Sequence, residues 1–216
     1  MEIKVNQDIT LREGFIIIKG TVASGKTTLA CAIDRKAKQA NIQVKHFEHP
    51  IAIHPNIKCD HDNLIQALDD LKKEIDNRLS LLEELQVRTY KDLTDESLMK
   101  PLAVIIDNYD QLIELNYKLE DHLLQVVSNC HTVNICLILF TTIGLSSSRY
   151  RARMTQALTI GFDACEDETS QYSLFGERTI SFKELVKLNF GPYDGIFLDK
   201  WSLSSKLRIV HTDAVD

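Results

Sequence analysis

The eight residues from Gly20 to Thr27, GTVASGKT, set two glycines, a lysine and a hydroxyl side chain at the spacing GxxxxGK[ST]. Glycine lets a backbone wrap a phosphate with its N–H groups, and a helix starting where the run ends adds the positive end of its dipole. In that chemistry Lys26 reaches the terminal phosphates and Thr27 ligates Mg²⁺. The predicted nucleotide-binding set is Gly20, Ser24, Gly25, Lys26, Thr27 and Thr28, and the predicted ligand is ATP with Mg²⁺. Asp107 ends the apolar run LAVIID, where a carboxylate on the strand neighbouring the loop would hold Mg²⁺ through water. A strand-end aspartate also serves in turns. The next residue, Asn108, cannot act as a general base, so the water-orienting carboxylate must come from elsewhere. Glu48 is the candidate, at the C-terminal end of a second predicted strand, the edge where ligands gather in open α/β sheets. Its other reading is a solvated loop carboxylate.

These residues need elements to hold them. Phe15 to Lys19 (FIIIK) is a continuous apolar run, the pattern of a strand buried on both faces of a parallel sheet. Good helix formers run from Thr27 to about Gln39, with Leu29, Ala30, Ile33 and Ala37 on one face and Asn41 at the exit. QVKHF (Gln43 to Phe47) alternates as a strand should. Leucines and an isoleucine from Leu64 to Leu85 recur every three or four residues, predicting a long amphipathic helix with Asp69–Lys73 and Glu74–Arg78 pairs on its wet side. That helix either clamps its own sheet or meets another subunit. LAVIID and VNICLILF (Val133 to Phe140) predict two more buried strands with a helix from Leu112 to Val127 between them. Thr179 to Val210 predicts short strands around the turn GPYDG. Alternating strands and helices predict an α/β three-layer sandwich with a mainly parallel central sheet.

The chain has 216 residues, 44% hydrophobic and 26% charged, enough for a sizeable core. One domain over 1–216 is expected, with 56–100 as a helical insertion. A net charge of -6 argues against coating nucleic acid through a general positive field, while leaving room for a local basic contact. The five cysteines are odd in number and form no CxxC pair, which predicts reduced thiols, mostly small core residues, and a cytoplasmic setting. No apolar run is long enough to cross a bilayer, so no membrane insertion is expected.

GFIIIKGTVASGKTTLA, VKHFEH, LAVIIDNYDQLI and VKLNFGPYDGIFL together resemble the core of the RecA-like ATPases, a group that includes the recombinase, the KaiC-type proteins and the hexameric DnaB-type helicases. The resemblance spans roughly residues 11 to 60 and 100 to 200 and implies a RecA-like P-loop NTPase in which Glu48 is the catalytic glutamate. It further implies that ATP sits near a subunit boundary, in a homo-oligomer or beside a partner ATPase or helicase subunit. Near the GP turn, Lys187 matches a lysine that reaches into a neighbour's site, whereas Asn189 stands where helicases carry an arginine. Arginine fingers contribute about 10³ to 10⁵ in rate, so slow hydrolysis is expected. Thr141 and Thr142 occupy the position of the family's polar sensor.

The serines of SSSRYRAR and its Arg149, Tyr150, Arg151 and Arg153 fall where the resemblance places a DNA-binding loop. Arginines could meet phosphates and Tyr150 could stack on a base of single-stranded DNA; an ordinary exposed loop is the other reading. His46, His49, His54, Cys59 and His61 lie close in sequence but match no established zinc spacing. Three functions follow as expectations. The leading one is a Mg-dependent ATPase in DNA metabolism. The second is a KaiC-type regulatory or assembly protein that binds ATP and barely hydrolyses it. The third is a phosphotransferase for a small metabolite with the arginine cluster as a lid, against which the GPYDG strand pair weighs, or an FtsK-like packaging or conjugation ATPase, against which Asn108 weighs.

Overall fold

A computed structural model describes residues 1–20, 24–47, 61–107, 109, 118–142, 153–160, 194–200 and 207–212, with 61–63, 118–120 and 207 as backbone alone. Its centre is a seven-stranded sheet in the order β4-β5-β6-β3-β7-β8-β9. The strands are β3 (Gly14–Gly20), β4 (Gln43–Phe47), β5 (Leu102–Ile106), β6 (Ile135–Thr141), β7 (Met154–Ile160), β8 (Asp194–Asp199) and β9 (Leu207–His211). The first five in chain order are mutually parallel, and β8 and β9 add an antiparallel margin. A separate hairpin, β1 (Glu2–Lys4) and β2 (Thr10–Arg12), precedes them. The helices are α1 (Lys26–Gln39), α2 (His61–Glu84) and α3 (Lys118–Val126).

Burial explains the order. Every residue of β3, β5, β6 and β7 is buried, so these strands take the middle, where neighbours cover both faces and both edges. β4 keeps partial exposure along its length and takes the edge. One face of the sheet, through Ile16, Ile18, Ala103, Ile105, Ile138 and Phe140, packs against Leu29, Ala30, Ile33 and Ala37 of α1 and against the β1–β2 hairpin. The other face, through Phe15, Ile17, Val104, Ile106, Leu137 and Leu139, packs against α2 and α3. This is the predicted α/β layering with a mostly parallel central sheet.

The order also corrects an expectation. Asp107 does not end the strand neighbouring the phosphate loop, because β6 pairs with both β3 and β5 and lies between them. Two strand spacings, roughly 10 Å, separate the lines of β3 and β5. Local sequence pattern marks both β5 and β6 as buried strands and carries no information on which of them touches β3.

In α2, the stripe Leu64, Leu68, Leu71, Ile75 and Leu82 is buried against the protein's own sheet and α3. At about 1.5 to 3 kcal/mol for each fully buried aliphatic side chain, that seam anchors the helix. The predicted Glu74–Arg78 pair forms at 2.7 Å, and Arg78 also donates to the Val133 carbonyl. The predicted Asp69–Lys73 pair does not form: Asp69 meets His122 of α3 at 2.7 Å and Lys73 turns to Asp70, because a neighbouring helix offers Asp69 a half-buried partner. Beyond α2, the helical character expected to residue 100 shrinks to two short 3₁₀ turns, Tyr90–Asp92 and Glu96–Met99.

Other boundaries shift modestly. β6 starts at Ile135 because Asn134 has φ 59° and spends its side chain on the Met99 carbonyl. β7 has a register shift opposite Phe15 and Ile16. There Thr155 Oγ1 donates to the Phe15 carbonyl, and the wholly buried Gln156 donates to the Thr10 carbonyl and accepts from the Arg12 N–H. One side chain thus fastens the hairpin to the sheet. No described helix is long and apolar enough to cross a membrane.

Candidate functional site

The five parallel strands all deliver their C-terminal ends to one edge of the sheet, so Gly20, Phe47, Asp107, Thr141 and Ile160 emerge side by side. Ligands of open α/β sheets bind outside that edge. The phosphate loop leaves β3 at Gly20 and returns at Gly25, the residue that opens α1.

Two glycines are required here for different reasons. Gly25 has φ 86° and ψ 14°, the left-handed region that L side chains rarely adopt, and a Cβ built on it meets no atom within 4 Å. The position therefore needs glycine for its backbone conformation, at the N-terminus of a helix. At Gly20 a Cβ would lie 2.4 Å from Ser24 Oγ and 2.8 Å from Ile160, so the start of the loop is packed too closely for any side chain.

The loop's polar groups converge inside this cradle. Lys26 is only 7% exposed, and its Nζ donates to the Gly20 carbonyl at 2.7 Å. Ser24 is buried, and its Oγ has no hydrogen-bond partner among the described residues, which is costly unless a ligand supplies one. Thr27 is half-buried and Thr28 exposed at the first turn of α1. Ser24 to Thr28 run consecutively into the first turn of α1, and Gly20 meets them through the Lys26 Nζ bond and beside Ser24 Oγ. A buried hydroxyl, a buried ammonium and a left-handed glycine at the start of a helix are the groups a polyphosphate site needs.

Asp107 is fully buried at the same edge, and its N–H donates to the Phe47 carbonyl at 2.8 Å. Its side chain continues the alternation of Ala103 and Ile105 and so faces α1. A carboxylate and a threonine hydroxyl are hard oxygen donors, the kind Mg²⁺ takes when it keeps several waters. In chemistry, these two donors fit Mg²⁺.

Beside Asp107 the structure holds a pair that the sequence left unassigned. His46 Nδ1 lies 3.4 Å from Asp34 Oδ2 of α1, with the two side chains 4% and 11% exposed. Asp34 also pairs with Lys38 at 2.7 Å. Burial pushes the His46 imidazole below its ordinary pKa, against the opposing pull of Asp34 and Asp107. The available signal was Asp34 itself, an acid beside Ile33 and four residues after Ala30 on the apolar face of a helix. Of the histidines and cysteine weighed for zinc, only His46 has a described side chain.

Glu48, Lys187, Arg149, Tyr150 and Arg151 lie outside the described residues, as do Asn108 and Asn189. Arg153 is described, and it is not near the cradle. It precedes β7, whose first residue pairs with Phe15 at the start of β3, so it sits at the opposite edge of the sheet and donates to Ser128 Oγ at 2.6 Å. Thr141 is buried in the row Thr141, Lys19, Thr159 across β6, β3 and β7, on the face away from α1. Cys130 and Cys136 are buried core thiols, the first pushed up to about 12 by desolvation.

No family model matches the chain, and no curated protein matches it. Solved structures do. The conjugation coupling protein TcpA of pCW3, determined with ATPγS, superposes with a TM-score of 0.77 at 13% identity over 96% of this chain and 63% of that one. EssC (ATPases 2 and 3) from Geobacillus thermodenitrificans gives 0.65 at 18% identity over 94% of this chain and 40% of that one. B204, the DNA-packaging ATPase from Sulfolobus Turreted Icosahedral Virus, gives 0.54 at 14% identity over 92% of this chain and 96% of that one. The chain thus spans less than two thirds of the first two proteins. At these identities the likeness is one of fold, and in fold this chain is similar to the P-loop ATPases.

Proposed function

We propose that the chain binds Mg-ATP and hydrolyses it, and that hydrolysis drives a packaging- or conjugation-type process on a nucleic acid. The observation that carries the reading is the cluster of Gly25, Ser24 and Lys26: a left-handed glycine opening a helix, a buried hydroxyl with no partner among the described residues, and a buried ammonium. Lys26 and the loop amides would hold the phosphates, and Thr27 and Asp107 would hold Mg²⁺, which when bound offsets charge on the phosphate oxygens. Glu48, the residue after the Phe47 carbonyl that Asp107 N–H engages, would orient the attacking water. Lys187 would act across a subunit boundary in a homo-oligomer or with a partner ATPase.

The fold likeness to a conjugation protein and a packaging ATPase favours this branch over the recombinase or helicase reading. Asn108 argues against it only if the water-orienting group must follow Asp107, and Glu48 removes that requirement. The binding-only reading rests on Asn189 and Thr142. Steady-state phosphate release with and without single- and double-stranded DNA separates the two. DNA-stimulated turnover that is abolished in Glu48→Gln, with ATP binding intact, is the expected result. Turnover unaffected in Glu48→Gln would remove Glu48 from the scheme, and no turnover under any condition would leave a nucleotide-binding protein.

A further inference from the structure

His46 has two ring nitrogens and the structure accounts for one. Nδ1 faces the Asp34 carboxylate, whereas Nε2 is buried and has no hydrogen-bond partner among the described residues. A carboxylate beside Nδ1 fixes the neutral tautomer with the proton on Nδ1, leaving a lone pair on Nε2. With Nδ1 facing the carboxylate, the buried Nε2 is an acceptor in need of a donor.

The sheet register says where that donor would be. His46 pairs with Ile105 across β4 and β5, and the Asp107 N–H continues the ladder to the Phe47 carbonyl. Ile105 and Asp107 lie two apart on one strand and so share the face that His46 also takes. His46 and Asp107 are therefore diagonal neighbours on the α1 side. The partner that fixes His46, Asp34, belongs to the helix whose first turn carries Lys26 and Thr27. The pair thus links the phosphate helix to the strand end next to the carboxylate assigned to Mg²⁺.

We propose that His46, held by Asp34, is a positioning residue that accepts through Nε2 a hydrogen bond from a water in the Mg²⁺ shell anchored by Asp107. This rests on the reading of Asp107 as the Mg²⁺ carboxylate. Mg²⁺ keeps several of its waters when bound to protein, and such waters are strong donors. Asp34 orients the ring as the carboxylate of a His–carboxylate pair does at other sites, by fixing the tautomer and not by taking a proton.

The test uses the full chain with ¹⁵N-labelled histidine, the His46 resonances being assigned by their loss in His46→Gln. Binding of ATPγS is followed separately with a fluorescent nucleotide. Mg-ATPγS is expected to move the pyridine-type Nε2 resonance of His46 toward lower frequency, and ATPγS with EDTA is expected to leave it in place. In Asp107→Asn the shift should vanish while histidines elsewhere are unchanged. In a second arm, His46→Phe should raise the Mg²⁺ concentration needed for half-maximal nucleotide binding about fivefold, the size of one water-mediated hydrogen bond, without changing affinity for Mg-free nucleotide. His46→Gln, which restores an acceptor, should recover most of that loss.

A His46 resonance that stays still while Mg-ATPγS binds overturns the proposal and leaves the phosphate site standing. So does a His46→Phe protein weakened equally with and without Mg²⁺, the mark of a packing role. Absence of Mg-nucleotide binding to the parent protein overturns the phosphate-site reading and this inference with it.

Discussion

Lys26 Nζ donates to the carbonyl oxygen of Gly20 at 2.7 Å, tying the first and seventh residues of the loop to each other. The bond holds a buried ammonium inside the cradle, where lysine pays both desolvation and side-chain entropy. An anion entering beside the loop would meet an ammonium already held in place. Preorganisation of this sort is what allows a short loop to grip a polyphosphate.

Gly25→Ala tests the backbone side of that argument. The new methyl would meet nothing within 4 Å, so its cost is the left-handed φ of 86°, about 1 to 2 kcal/mol. The expected outcome is a protein that folds, melts a few degrees lower in calorimetry, and binds ATP at least tenfold more weakly because the loop relaxes away from the phosphate-binding conformation. Unchanged affinity would mean that the left-handed amide does not contact the ligand.

Asp107→Asn tests the metal side. The substitution keeps the shape while replacing one acceptor oxygen by a donor NH₂ and removing the carboxylate charge, so a folded protein is expected. Mg²⁺ should lose most of its ability to strengthen nucleotide binding, seen as near-coincident titrations with Mg²⁺ and with EDTA. A variant with the parent's full Mg²⁺ dependence would move the metal anchor elsewhere.

Glu13 sets an acid limit on the fold, away from the nucleotide edge. Burial alone pushes its carboxyl up, but the Lys91 ammonium at 2.6 Å and the Met1 amino group at 3.2 Å outweigh burial and leave it below its ordinary 4.5. A depressed carboxylate stabilises the folded state fully above the unfolded value and loses that contribution as pH falls through the folded one. Glu13→Gln should therefore be less stable than the parent at pH 7, and the gap should close below pH 4.5. Urea unfolding at pH 7 and at successively lower pH checks this; a gap that widens on acidification would contradict the assignment.

How much of this was legible from sequence depends on the kind of information each feature needs. FIIIKG, the glycine loop and the stripe Leu29, Ala30, Ile33, Ala37 are local patterns, and strand, loop and helix follow them within a residue or two. Asp107 was found as the end of an apolar run, but its distance from the loop was not, since interposing β6 is a matter of strand order that no run of residues encodes. The hairpin β1–β2 and strand β7 were missed. The hairpin strands are three residues each, too short for periodicity, and MTQALTI mixes polar residues into a fully buried strand. Those polar residues have particular partners: Gln156 takes the hairpin backbone and Thr155 the Phe15 carbonyl. Likewise Asp34 and His46 are twelve residues apart and meet only because α1 folds back over β4.

The central claim is that the loop and its lysine bind the phosphates of ATP, and Lys26→Ala tests it most directly. The side chain lies at the entrance of α1 and its loss removes one hydrogen bond to Gly20, so the fold should persist. Charge-assisted hydrogen bonds contribute about 1.5 to 3 kcal/mol, which translates into roughly a 10- to 150-fold loss of Mg-ATP affinity by isothermal calorimetry. A folded Lys26→Ala protein that binds Mg-ATP as tightly as the parent would contradict the account.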